Sequence, residues 1–180
     1  MLLVGGASTR FGSPKALALF EGQTLAERAW ATLGEVCVER IAVGKLADGL
    51  VLPFPLLEDG SATRAPLAGV VAGLRAAEAE LTVVVPVDCP RLTARSLSML
   101  AAACSGDVAV PQTGPLPGAY RRTALPALER ALQAGRLSLR HAIGPLAVAT
   151  VDLDDAELAN ANTPEALAAL EARRPARHRA

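Results

Sequence analysis

LTVVVPVDCPRL, residues 81–92, is apolar at almost every position before Asp88. A continuous apolar run of this kind is typical of a central strand in a parallel sheet, which helices cover on both faces. We therefore predict a strand over Leu81–Val87. Ligands of open parallel sheets bind beyond the carboxyl ends of the strands, so Asp88 stands where a functional residue is expected.

Strand-like runs alternate with helical patterns along the rest of the chain. The other predicted strands are Met1–Val4, Val38–Val43, Val108–Val110 and Val148–Leu153, and the predicted helices are Leu25–Leu33, Pro66–Ala79, Thr93–Ala103 and Leu125–Ala134. Thr24 and Glu27 form a capping-box pattern, and Thr163 precedes a proline at a first helical position. This alternation predicts βαβ units in an α/β, Rossmann-like three-layer sandwich with a mostly parallel central sheet.

Length and charge narrow the class of protein. The 180 residues suit a single domain over residues 1–170, followed by a flexible basic tail over 171–180. The 18 basic and 18 acidic side chains cancel, so no overall field attracts nucleic acid or an anionic membrane. No apolar run reaches the roughly 18 residues of a membrane-spanning helix.

The three cysteines are Cys37, Cys89 and Cys104, and they lie far apart in the sequence. Their spacing matches no zinc motif, and an odd, scattered set is poorly suited to disulfide formation. We interpret them as reduced thiols, which predicts a cytoplasmic protein.

The loop VGGASTRFGSPK, residues 4–15, combines backbone freedom with positive charge. Gly5 and Gly6 allow the backbone to approach a ligand closely, and successive N–H groups there can surround an anion. Arg10 and Lys15 add charge suited to phosphate oxygens. The spacing fits neither a Walker loop nor a GxGxxG dinucleotide fingerprint. We predict a polyphosphate-binding loop.

Asp88 is the candidate metal ligand. Mg²⁺ prefers oxygen ligands and is commonly held by one or two carboxylates together with substrate phosphates. A carboxylate at the carboxyl end of a strand lies on the same edge of the sheet as the loop over residues 4–15. We therefore predict Mg²⁺ as cofactor, with Asp88 as its ligand.

Four motifs, in order along the chain, resemble those of the molybdenum cofactor guanylyltransferase family. These are GG-x-S-x-R-F-G-x-x-K-A-L from Gly5, Asp59 with Pro66-Leu67-Ala68-Gly69, Pro86-x-Asp88-x-Pro90, and Asn160-x-Asn162-Thr163-Pro164-Glu165. The resemblance covers Leu2 to about Leu167. It implies the nucleotidyltransferase fold type and transfer of GMP from GTP to the terminal phosphate of molybdopterin, with release of pyrophosphate.

The same resemblance assigns roles to individual residues. It implies catalytic roles for Lys15, Arg10 and Asp88, and nucleotide contacts from Leu3, Val4, Gly5, Gly6, Lys15, Asp59 and Asp88. It implies acceptor contacts from Asn160, Asn162 and Tyr120. The implied partners are GTP and molybdopterin, with transient contacts to other molybdenum cofactor proteins.

Three positions depart from the pattern of that family. Gly44 stands where many members have Asn, Ala65 replaces the usual Gly, and Gly114 precedes Pro115 where His-Pro is common. These differences concern the base and the acceptor rather than the triphosphate. Two alternatives therefore stay open: a cytidylyltransferase of the same fold, and a non-catalytic protein that binds a nucleotide or the cofactor.

Overall fold

In the computed structural model, which describes residues 1–5, 11 and 14–172, the centre is a seven-stranded mixed sheet. The strands are β1 (Leu2–Leu3), β4 (Ala42–Gly44), β5 (Leu56–Glu58), β6 (Leu81–Pro86), β7 (Val108–Pro111), β8 (Gly118–Arg121) and β9 (Val148–Val151). Their order is β5-β4-β1-β6-β8-β7-β9. A separate two-stranded antiparallel hairpin is formed by β2 (Leu19–Phe20) and β3 (Gln23–Thr24).

Helices cover both faces of this sheet. They are α1 (Leu25–Gly34), α2 (Pro66–Ala76), α3 (Ala94–Ala103), α4 (Leu125–Gln133), α5 (Leu139–Ile143) and α6 (Pro164–Ala172). One apolar cluster joins Leu2 of β1 with residues of α1, α3 and α6. A second joins Leu3 with residues of α2, α4 and α5. Because successive strand side chains point to opposite faces, β1 contributes to both clusters, and the predicted three-layer sandwich is confirmed.

The strand predicted from LTVVVPVD is confirmed as β6. It pairs in parallel with β1 and antiparallel with β8, so it lies in the middle of the sheet. Its residues Thr82–Val85 are all buried, as a strand covered on both faces requires. Four of the six pairings in the seven-stranded sheet are parallel, which confirms the mostly parallel arrangement.

Several predicted bounds need correction. The strand predicted over Val38–Val43 is only Ala42–Gly44, because Val38 is fully exposed and cannot belong to a buried strand. The predicted strand over Val148–Leu153 ends at Val151. Strands β5 and β8 were not predicted, because both are short and β5 follows two closely spaced prolines.

The helix-start signals are confirmed. Thr24 and Glu27 form both bonds of a capping box at the start of α1. The Thr163 hydroxyl accepts a hydrogen bond from the Ala166 N–H at 3.1 Å, ahead of Pro164. Helix α6 continues past the predicted domain boundary at residue 170, and residues 173–180 of the predicted tail lie outside the described residues. Within the described part of the chain, no helix is long and apolar enough to span a membrane.

Candidate nucleotide-binding site

The carboxyl ends of four adjacent parallel strands form one edge of the sheet. Strands β5, β4, β1 and β6 end there, and they lead into Asp59, Lys45, Val4 and Asp88. Backbone hydrogen bonds connect the strand ends. The Val4 N–H donates to the Val43 carbonyl at 3.0 Å, and the Val87 N–H donates to the Leu3 carbonyl at 3.1 Å. A cavity of about 420 Å³ lies along this edge. Its volume is in the usual range for a small-molecule site.

Lys15 connects two of the predicted site residues. It opens a short 3-10 turn over Lys15–Leu17. The Lys15 Nζ lies 3.3 Å from the Asp88 carboxylate and donates to Asn162 Oδ1 at 2.9 Å. The side chains of Lys15 and Asp88 are 16% and 24% exposed. The cation and the carboxylate are therefore preorganised yet accessible to a ligand.

A segment from another part of the chain completes this end of the cavity. The Ala161 N–H donates to the carbonyl of Asp88 at 2.8 Å, which fixes residues 160–162 against the end of β6. Asn160 lines the cavity, and its Oδ1 accepts a hydrogen bond from the Cys89 thiol at 3.0 Å. Burial, followed by the charge of Asp88, raises the pKa of Cys89 above its usual range, so the thiol is neutral.

A buried ion pair forms the opposite end of the cavity. The Lys45 ammonium bonds to the Asp59 carboxylate and to the carbonyl of Ser61. The two paired side chains are only 10% and 8% exposed. The Ser61 N–H also donates to Asp59 Oδ1 at 2.8 Å, so the orientation of this carboxylate is fixed by several bonds.

Lys45 was not identified from the sequence, yet it lines the cavity together with Arg64. Arg64 is paired with Asp48 through two hydrogen bonds of 3.0 and 2.5 Å, and its hydrogen bonds and charge lower the pKa of Asp48. The available signal for Lys45 was its place directly after a parallel strand. A single lysine in that position is common on surfaces, so the signal becomes specific only in the folded protein.

The structure places Tyr120, a predicted acceptor contact, away from the cavity. Its side chain is fully buried in β8 and does not line the cavity. Its hydroxyl donates to the carbonyl of Pro115 at 2.5 Å. Its predicted contact with the acceptor stays a prediction, and in the structure Tyr120 supports the segment that places Leu116 in the cavity wall.

The remaining predicted contacts divide into two groups. Leu3, Val4 and Gly5 line the cavity beside Lys15. Gly6 and Arg10 lie outside the described residues, so their predicted roles stay predictions.

The three departures from the family pattern occupy different environments. Gly44 lines the cavity, and a Cβ there would lie 2.8 Å from the Val4 side chain, so a larger residue would require that side chain to shift. Ala65 lines the cavity directly before α2 and provides no side-chain cap. Gly114 lies in the segment before β8, outside the cavity lining.

The donor set fits Mg²⁺ of the substrate-bridging kind. Asp88 supplies a partly exposed carboxylate in the cavity, where phosphate oxygens can complete the coordination. Among residues 1–5, 11 and 14–172, no cluster of three or more His, Cys, Asp or Glu side chains could hold a metal ion by itself.

The sheet is covered on both faces, and the cavity at the carboxyl ends of its strands contains a lysine and a carboxylate. This combination defines an α/β nucleotide-binding protein. The comparison with family models identifies the family within this class. Residues 1–150 match the MobA-like NTP transferase domain, and the chain belongs to that family.

Curated relatives match over nearly the whole chain. A probable molybdenum cofactor guanylyltransferase of Chloroflexus aggregans is 32% identical and covers 96% of this chain and 92% of its own. The molybdenum cofactor guanylyltransferase of Desulfosudis oleivorans is 31% identical, with coverages of 96% and 93%.

Solved structures share the fold. Molybdopterin-guanine dinucleotide biosynthesis protein A from Archaeoglobus fulgidus superimposes with a TM-score of 0.75 at 23% identity, covering 95% of each chain. The 2-C-methyl-D-erythritol 4-phosphate cytidylyltransferase of Thermus thermophilus gives a TM-score of 0.72 at 23% identity, covering 95% of this chain and 96% of its own. Because both identities are low, these matches establish the fold and leave the base open.

Proposed function

We propose that this protein is a molybdenum cofactor guanylyltransferase, which transfers GMP from GTP to the terminal phosphate of molybdopterin and releases pyrophosphate. The single observation that carries the proposal is the meeting of Lys15, Asp88 and Asn162 in one hydrogen-bonded group at the cavity. The names of relatives about 30% identical over nearly the whole chain support this assignment.

The polarity of the cavity gives the nucleotide an orientation. Lys15 and the backbone at Gly5 offer positive charge and N–H groups, so the triphosphate binds at the ends of β1 and β6. The nucleoside then extends across β4 toward the Lys45–Asp59 pair. Asp59 provides carboxylate oxygens that accept hydrogen bonds from a base or a ribose.

The chain has little covalent chemistry to perform, because a phosphate acceptor is already a nucleophilic anion. Catalysis then depends on positioning and on charge stabilisation. Lys15 stabilises negative charge on the transferring phosphate, and Arg10 is the predicted second cation. Asp88 would hold Mg²⁺, which when bound supplies a Lewis acid that neutralises charge on phosphate oxygens.

The acceptor binds on the side of the cavity that Asn160 lines. The side chain of Asn162 accepts a hydrogen bond from Lys15, and that of Asn160 accepts one from Cys89, the residue after Asp88. An acceptor phosphate bound to this segment would lie beside the α-phosphate of the nucleotide. The location would be the cytoplasm, where the three cysteines stay reduced.

The decisive experiment measures pyrophosphate release with GTP, CTP and ATP, each with molybdopterin and Mg²⁺. The variant Asp88→Asn removes the metal-binding charge and keeps the shape of the side chain, so we expect kcat to fall by about a hundredfold or more, typical of losing one charge-stabilising group. Asp155→Asn is the matched control, because Asp155 is exposed and does not line the cavity.

The outcome with each nucleotide has a distinct meaning. Product from GTP alone supports the guanylyltransferase assignment. Product from CTP alone would replace it with the cytidylyltransferase alternative. Nucleotide binding without turnover, by protein with native circular dichroism, would favour the non-catalytic alternative.

A further inference from the structure

The Cys89 thiol lies in an unusual position between two elements of the candidate site. It directly follows Asp88, and it is buried, with 5% of its surface exposed. Three oxygen acceptors surround its sulfur: Asn160 Oδ1 at 3.0 Å, Asp88 Oδ1 at 3.9 Å and the Leu158 carbonyl at 4.0 Å. Because all three neighbours are acceptors, the thiol acts as a donor, and Asn160 is its nearest partner.

This contact determines which end of the Asn160 side chain a ligand meets. A carboxamide has one acceptor oxygen and one donor NH₂ group. With Oδ1 bonded to Cys89, the NH₂ group is the end left for the cavity that Asn160 lines. The amide of the neighbouring Asn162 is oriented in the same way, because its Oδ1 accepts a hydrogen bond from the Lys15 ammonium at 2.9 Å.

In both asparagines of this short segment the amide oxygen is thus already bonded, which leaves the NH₂ group as the end available to an anion. The backbone anchor of that segment, the Ala161 N–H on the Asp88 carbonyl, fixes its distance from the predicted metal ligand. Without the thiol, the Asn160 amide could rotate and present its oxygen, which repels a phosphate. The sign of the interaction with a phosphate thus depends on the bond from Cys89.

We propose that Cys89 is a positioning residue that orients the Asn160 amide so that its NH₂ group binds the acceptor phosphate. The identity of that phosphate as molybdopterin's rests on the proposed function. The orientation itself rests on the hydrogen bond between the two side chains.

The first test compares steady-state kinetics of Cys89→Ala and Cys89→Ser with the wild-type protein. Alanine removes the donor, so we expect KM for molybdopterin to rise about tenfold, the effect of losing about 1.4 kcal/mol of binding, with kcat and the Kd for GTP unchanged. Serine restores a donor and should restore KM to within about threefold of the wild-type value. The matched control is Cys104→Ala, since Cys104 is also buried but bonds to the carbonyl of Ala119 away from the cavity.

A double-mutant cycle separates positioning from general packing. If Cys89 acts through Asn160, then Cys89→Ala has no further effect on KM in the Asn160→Ala background. Equal effects in both backgrounds would overturn the proposal, as would a serine variant as impaired as the alanine variant. The thermal midpoint of each variant shows whether it is folded. The double-mutant cycle uses only the alanine variants, so it does not depend on the folding of Cys89→Ser.

A second readout does not depend on turnover. The side-chain NH₂ signal of Asn160 in ¹⁵N-labelled protein is identified by its loss in Asn160→Ala, and inorganic phosphate is the titrant. We expect phosphate to shift this signal, and Cys89→Ala to weaken that response about tenfold. An unchanged response in Cys89→Ala would overturn the positioning role. If the wild-type protein makes no product from GTP and molybdopterin, the proposed function fails, and this titration still decides the role of Cys89.

Discussion

Lys45 shows how strongly the environment of one residue can determine its importance. Its side chain is only 10% exposed, and its charge is compensated by Asp59 and the carbonyl of Ser61. A buried charge is costly without a partner, so each member of the pair depends on the other. The pair therefore stabilises the fold and shapes the nucleoside end of the cavity at the same time.

The substitution Lys45→Met tests this dependence. Methionine keeps the length of the side chain and leaves the Asp59 carboxylate buried without its partner, so we expect a loss of about 3–5 kcal/mol in the free energy of unfolding. Urea denaturation measures this loss, and GTP titration should show weaker binding. The double variant Lys45→Met with Asp59→Leu should recover part of the stability while binding stays weak.

The ion pair of Arg64 and Asp48, in which the arginine is exposed, is the control for this effect. The Arg64 side chain is 46% exposed, so Arg64→Met should lower the free energy of unfolding far less than Lys45→Met does, because solvent screens an exposed ion pair. A loss in Arg64→Met as large as that in Lys45→Met would contradict the argument from burial.

Tyr120 is a second single residue whose environment determines its role, although its effect on the cavity is indirect. Burial raises its pKa above the usual range, so the hydroxyl stays protonated and donates to Pro115. Tyr120→Phe keeps the buried ring and removes only this bond. We expect a loss of about 1 kcal/mol in unfolding free energy, measured by urea denaturation, with GTP affinity unchanged because Tyr120 does not line the cavity. A large loss of GTP affinity would contradict that expectation.

At the scale of elements, α1 depends on its capping box. The Thr24 hydroxyl accepts from the Glu27 N–H at 3.1 Å, and the Glu27 carboxylate accepts from the Thr24 N–H at 3.1 Å. Thr24→Ala should lower the thermal midpoint by about 2–4 °C at neutral pH. Thr32→Ala in the last turns of the same helix should lower it less, because alanine is the better helix former there.

The capping box also gives a pH dependence. Hydrogen bonds from Thr24 lower the pKa of Glu27, so the folded state holds this proton less tightly than the unfolded state. The contribution is present above the ordinary glutamate pKa and is lost as the pH falls through the lowered value. The difference between wild-type protein and Thr24→Ala should therefore shrink when thermal unfolding is repeated in acid.

The elements also show why local sequence patterns succeeded or failed. Helices α1 and α3 begin at threonine caps, a signal contained within a few adjacent residues. Strand β6 is apolar because both its faces are covered. By contrast, β8 has four residues and inserts antiparallel between β6 and β7, and no pattern within four residues specifies partners far away in the chain.

For the whole molecule, the two apolar layers on either side of the sheet provide the stability that holds the cavity open. Leu97 of α3 is fully buried in one of these layers. Leu97→Ala should cost about 2–5 kcal/mol of unfolding free energy, because the sheet and helices cannot close the resulting space completely. Met99 on the same helix is 39% exposed, so Met99→Ala should cost much less by the same denaturation measurement.

Local patterns in the chain were sufficient to predict most of the strands and helices in order, the three-layer class and the position of Asp88 at a strand end. These features depend on hydrophobic periodicity, helix caps and the geometry of parallel sheets, all of which act over short stretches of chain. The pairing of Lys45 with Asp59, the bond from Cys89 to Asn160 and the burial of Tyr120 away from the cavity became visible only in the folded protein. Those contacts join residues 14 to 71 positions apart or depend on burial, so they exist only once distant segments pack together.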